Sequence, residues 1–254
     1  MAIATPFKTP QKMSDAERTA RVNLAAMHRL CEHYGWGDLI YNHLAARIPG
    51  EPFFLMKRHS EMFDEVSVSS LAKLPLGGPC PGFQDDVNPA GFTIHSAILN
   101  ARPDANYTMH VHTRAGAAVS ATRCGILPLS QDAMRFYNRV SFHEFEGIAI
   151  NQAECDRLAR DLGPKNRSMV LYNHGLLTLG ASAGGTLSEM RYLFEVCETQ
   201  LMLQASGQEI VLPPAAICEE TAQKLEHFAL KGNDGDEWNA YLRIADRLDA
   251  SFRN

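Results

Sequence analysis

Apolar and polar positions along the chain follow two periods, and the switches between them outline the elements. From Ser14 to Tyr34 a helical stripe holds Val22, Leu24, Ala25, Met27 and Leu30, with His28 among them. Ser14 is placed to cap this helix, and Glu17, three residues on, to complete a capping box. Gly35 and Gly37 end it. LIYNHLAARIP then reads as a strand and EPFFLMK as its antiparallel neighbour. Residues 72–88, AKLPLGGPCPGFQDDVN, are dense in Pro, Gly and Asp and predict loop. NPAGFTIHSAILNARPD predicts a helix with Asn88 as cap, Pro89 at its first position and Pro103 past its end.

The second half continues the alternation. Residues 107–112 read as a strand, RAGAAVSAT as a helix of small residues, and HEFEGIAI as a short extended piece. Ala153 to Leu162 is helical, SMVLYNHGLLTLG is strand, turn and strand, and Thr186 to Ala205 is a long helix. The tail, 219–252, is amphipathic helix broken at KGNDGDE. Strands alternating with helices predict a layered α/β domain, and the direct strand-to-strand links at 38–58 and 168–180 predict antiparallel pairing. The expected organisation is a flexible segment 1–15, one domain over 16–215, and a helical tail, 216–254, packed on that domain.

Composition narrows the partners. The chain has 254 residues, 45% of them hydrophobic, and a formal net charge of −5. That suits a single sizeable core. No long run of like charge suggests capture of nucleic acid or an acidic membrane. No stretch approaches the ~18 apolar residues of a membrane span. The first residues lack the apolar core of a secretion signal, and six scattered cysteines without a CxxC pair read as reduced thiols. The expectation is a cytoplasmic protein with a small-molecule substrate.

The chemistry is in the histidines. In YTMHVHT, His110 and His112 stand two apart, and on a strand such residues project to one face. Two neutral imidazoles there form half of a metal site; the plainer reading is a pair of hydrogen-bonded histidines. His174, after an apolar strand and before a glycine suited to a tight turn, makes a three-histidine site plausible. Three nitrogens with open positions suit catalytic zinc, and also iron or manganese.

ARPDANYTMHVHTRAGAAVSA and NHGLLTLG, together with GDLIYNHLAARIPG, resemble the class II aldolase/adducin family over residues 18–210. The resemblance implies a three-layer α/β/α sandwich around a mostly antiparallel sheet. It implies one divalent metal per chain on His110, His112 and His174, with zinc first and manganese or iron as alternatives. It also implies a homotetramer with active sites at subunit interfaces.

The chain departs from the sugar-phosphate aldolases of that family at telling places. Their Ser-Ser-Glu triplet, whose glutamate is the acid/base, aligns with Pro89, Ala90 and Gly91, so the carboxylate is missing. Their Gly-Asn phosphate turn aligns with Asn42 and His43. Both phosphate elements are altered, which points to a non-phosphorylated substrate. The tyrosine lent by a neighbouring subunit falls near Gln131 and Asp132. The candidates for proton transfer are His143 and Asp132; those for substrate contact are Asn42, His43, Gln131 and His95. Each lone histidine also has a structural reading, and His95 sits on the apolar stripe of its helix. The wording NPAGFTIHSAI and YNRVSFHEFEGIAI is nearer to the adducin-like branch.

Three functions follow. The first is a metal-dependent lyase, a decarboxylase or an aldolase-like enzyme, that breaks a C–C bond of a small oxo- or hydroxy-acid through a metal-stabilised enolate. The second is a three-histidine non-haem iron oxygenase. The third is a non-catalytic, adducin-like assembly module.

Overall fold

In the computed structural model, which describes residues 13–148, 152–230 and 234–254, Ser14 does cap the first helix. Its Oγ accepts the Glu17 N–H at 3.1 Å, and α1 (Asp15–His33) follows. The expected capping box is only half made. The Glu17 carboxylate turns away, accepting from Arg21 Nε at 2.8 Å and Lys73 Nζ at 2.7 Å. Two cations outcompete the return bond to a backbone N–H because each offers a charge-assisted contact.

The strands are β1 (His43–Arg47), β2 (Phe53–Met56), β3 (Ala72–Pro75), β4 (Tyr107–Val111), β5 (Val140–His143), β6 (Ser168–Leu171) and β7 (Gly175–Gly180). They form one sheet in the order β3-β2-β1-β4-β7-β6-β5. Every neighbouring pair is antiparallel except β5 and β6, which run parallel. The sheet is therefore mixed, with its parallel pair at one edge.

Side chains alternate across the sheet, and both faces are covered. Tyr107, Met109 and Val111 of β4 and Leu176 of β7 join the core beneath α1, α3 (Arg114–Ser120), α5 (Ala183–Ser206) and α7 (Asp234–Asp249). Thr108 and His110 point to the opposite face, toward α2 (Pro89–Ala101). There Leu177 and Leu179 pack with Ile94 and Ile98 of α2 and with Leu158 and Leu162 of α4 (Gln152–Leu162). Helices on both faces make the three-layer α/β/α arrangement. They also explain why β4 is buried along its whole length, polar residues included.

Two expectations need correction. The run assigned to loop, 72–88, contains the edge strand β3. Its Lys73 and Pro75 obscure the strand pattern, and both suit an edge. The extended piece expected over 143–150 lies earlier: β5 is Val140–His143 and 144–148 are irregular, while 149 and 150 fall outside the described residues. Asn88 caps α2 as expected, accepting the Ala90 N–H at 3.0 Å, with Pro89 at its first position.

The tail forms α6 (Ala215–Leu230) and α7, with 231–233 of the expected break outside the described residues. Trp238 donates to Asn23 Oδ1 at 3.2 Å, and Phe252 O accepts the Val68 N–H at 2.9 Å. Residues 1–12, most of the segment expected to be flexible, lie outside the described residues. Among the described residues no helix is long and apolar enough to cross a membrane.

Candidate metal centre

The register of β4 and β7 sets Val111 opposite Leu176, so the chain leaving β4 faces the chain entering β7. That brings His112 and His174 to the same end of the sheet as His110. The turn at 172–174 is pinned from α3: Ser120 O accepts the Asn173 N–H at 3.0 Å, and Ser120 Oγ accepts the His174 N–H at 3.2 Å. The left-handed residue of this turn is Asn173, with φ 55°, rather than the glycine. Gly175 serves a different need. A Cβ there would lie 2.8 Å from Val111 O and 3.1 Å from His112 Cδ2, so only glycine lets the two chains close around the histidines.

His110 Nε2 lies 2.9 Å from His112 Nε2 and 3.2 Å from His174 Nε2, and all three nitrogens fall within 4.8 Å of one another. Two nitrogens on one tetrahedral zinc are about 3.3 Å apart, so the spacing suits an ion. The tautomer of His110 suits it too. Its Nδ1 is 3.0 Å from Leu176 O, a pure acceptor, so Nδ1 carries the hydrogen and Nε2 presents its lone pair. Burial pushes His110 well below the usual histidine range, with His174 and His112 adding like-charge repulsion. Burial likewise lowers His174 to about 4, and lowers His112 against the pull of Asp38, whose carboxylate is 3.6 Å from His112 Nδ1. Near neutral pH the set is three uncharged imidazoles, the form that binds a metal. This all-imidazole donor set fits zinc or iron.

Other residues singled out from the sequence take distinct places. Asn42 is buried; its Nδ2 donates to Trp36 O at 2.7 Å and its Oδ1 accepts the His112 N–H at 3.1 Å. It holds the backbone of a candidate ligand. His43 opens β1 directly across from His110, the ring centroids 5.1 Å apart. His43 Nδ1 pairs with His95 Nε2 at 2.8 Å, and His95 Nδ1 with Thr108 Oγ1 at 2.6 Å. Both ring nitrogens of His95 are thus engaged, and burial lowers it to about 3. This column of three residues stands beside Gly91, where an added Cβ would come within 2.9 Å of the His43 ring.

His143 is buried, and it lines a small cavity together with His174 and Phe145. Gln131 and Asp132 lie just before the short 3-10 turn Ala133–Phe136. Gln131 is exposed, and neither residue lines that cavity. One chain does not bring them to the triad. Sequence reasoning missed Asp161 and Glu154, which approach His143 from α4. Their spacing with Leu158 on one helical face was the available signal.

The family model for the Class II Aldolase and Adducin N-terminal domain matches residues 22–201. A protein of Caulobacter vibrioides named for the class 2 aldolases is 40% identical over 241 residues, covering 93% of this chain and 92% of that one. Alpha-adducin of Rattus norvegicus is 41% identical over 195 residues, 75% of this chain but 26% of the adducin. Among solved structures, L-fuculose 1-phosphate aldolase from Glaciozyma antarctica PI12 superposes with a TM-score of 0.80 at 25% identity, over 97% of both chains.

Proposed function

Because the chain belongs to the class II aldolase and adducin family, we propose that it is a metal-dependent lyase that breaks a carbon–carbon bond in a small, non-phosphorylated oxo- or hydroxy-acid. The observation that carries the reading is the convergence of the His110, His112 and His174 Nε2 atoms. These residues would hold one divalent ion per chain, zinc in the first place and iron otherwise. Such an ion supplies a Lewis acid for a carbonyl oxygen.

The chain's own residues do the rest. Leu176 O and the Asn42 amide orient His110 and His112. Phe145 stands beside His174, its ring centroid 6.5 Å from the imidazole. His112 keeps part of its ring open to solvent beside Asp38, which marks the way in for a small molecule. The space above Gly91 is filled by His43, so no carboxylate stands there to act as a base. That favours decarboxylation, in which loss of CO2 starts the reaction without proton removal. In a homotetramer with sites between subunits, a second copy would supply Gln131 and Asp132.

Similarity to alpha-adducin supports a second reading, a non-catalytic assembly module. Elemental analysis of tag-free protein separates the readings. About one zinc or manganese per chain, absent from His112→Ala, with turnover of an oxo- or hydroxy-acid, supports the lyase. Iron with oxygen uptake supports the three-histidine oxygenase instead. Failure to hold or take up any divalent metal supports the module.

A further inference from the structure

His143 ends β5, and α4 supplies its surroundings. Asp161 Oδ2 lies 2.7 Å from His143 Nδ1. An ionised carboxylate only accepts, so Nδ1 carries the hydrogen and Nε2 is left as the working nitrogen. Nε2 is buried and has no hydrogen-bond partner among the described residues. Its polar neighbours are Glu146 Oε1 at 3.9 Å and Glu154 Oε1 at 4.0 Å, both beyond bonding distance. Native interiors rarely leave such an atom unpaired, and His143 lines a small cavity where a polar ligand atom would complete it. The cavity here is the one that His174 and Ile94 also line. Arg157 holds Glu146, and Arg160 holds Asp161, so the carboxylates around the ring are fixed in turn.

We infer that His143 is the proton-transfer residue of this site, set by Asp161 as its positioning residue, and that it acts on the substrate carbon held between Nε2 and the three-histidine face. The inference rests on the lyase reading above. When the carbon–carbon bond breaks, its electron pair stays on the carbon next to the carbonyl. With His143 in its imidazolium form, Nε2 having taken up a proton from solvent, that proton passes to the carbon: a C–H bond forms, the Nε2–H bond breaks, and the imidazole is left neutral, still donating Nδ1–H to Asp161. In the reverse sense on an oxo-acid, Nε2 takes a proton from the carbon beside the carbonyl. The C–H pair becomes a C=C bond and the carbonyl π pair moves to oxygen.

Pyruvate in D2O tests this, with loss of its methyl signal followed by proton NMR in metal-loaded protein. The wild type should exchange. His143→Gln should slow exchange at least about 100-fold with metal content unchanged. Asp161→Asn, which preserves shape and carries the test if the first variant misfolds, should slow it about 10- to 100-fold. In metal-free Asp161→Asn protein, ring 15N shifts should show His143 losing its bias toward the Nδ1–H tautomer. Exchange at the wild-type rate in metal-loaded His143→Gln overturns the inference and leaves the lyase reading standing. So does an Asp161→Asn protein with rate and tautomer both unchanged. A metal-loaded wild type that exchanges no pyruvate overturns the lyase reading for oxo-acids, and this inference with it.

Discussion

The His43 imidazole occupies the space that a side chain at position 91 would need. A Cβ built on Gly91 meets His43 Cγ and Cδ2 at 2.9 Å and Met56 Cε at 2.8 Å. Met56 can swing its end aside, but the His43 ring is tied to His95. Gly91→Ala should therefore destabilise the protein by about 1–3 kcal/mol, the usual range for overpacking a filled core. Urea denaturation measures it. Pairing the change with His43→Ala should recover part of the loss, and a strictly additive double mutant would show that the two positions are not coupled.

Asn42 links Trp36 O, which is buried, to the part-buried His112 N–H through one amide. Removing it in Asn42→Ala leaves a donor and an acceptor without partners, at a cost of about 1–3 kcal/mol. Because one of those groups belongs to a candidate ligand, metal affinity should fall about 10-fold or more. Competition with a chromogenic chelator reads the affinity. A variant that loses stability but binds metal as the wild type does would confine Asn42 to packing.

Gly175→Ala places a methyl 2.8 Å from a backbone oxygen of β4, where no side-chain rotation gives relief. The strands must part or the His112 ring must shift. Metal binding should be hit harder than in Gly91→Ala, and the thermal stabilisation that added zinc confers on the wild type should shrink or vanish. Equal zinc-induced Tm shifts in the variant and the wild type would exclude this close packing.

Acid should destabilise the metal-free protein from about pH 6.5 downward. His174 sits at about 4 and His95 at about 3, each held down chiefly by burial, and His43 and His110 lie well below the usual range for the same first cause. Unfolded, each ring takes a proton near pH 6.5; folded, it stays neutral until much lower. The unfolded state therefore binds more protons in this window. Stability is full above pH 6.5 and falls as pH drops through it, by up to about 1.4 kcal/mol per pH unit for each ring still neutral. Urea midpoints between pH 7.5 and 4.5 check this, and a flat profile would mean that the rings protonate in place.

Legibility from the sequence followed how local each feature is. Ser14, Asn88 and Pro89 act within one helical turn, and the boundaries of α1 and α2 were readable from them. His110 and His112 face one way because a strand repeats every two residues, and this too was readable. The edge strand β3 was hidden by Lys73 and Pro75, since its existence depends on pairing with β2 rather than on its own composition. The start of β5 depends in the same way on β6.

What tertiary structure alone decided is which distant groups meet. The β4/β7 register brought His174 to His110 across 64 positions, Ser120 fixed the turn that carries it, and Gly175 gave the space. His43 reached His95 across 52 positions, and Asp161 reached His143 from a helix after it. Residue type and local period set what each segment can form and which chemistry it carries. Contacts between segments depend on strand order and on the buried volume left between layers, and no local pattern encodes either.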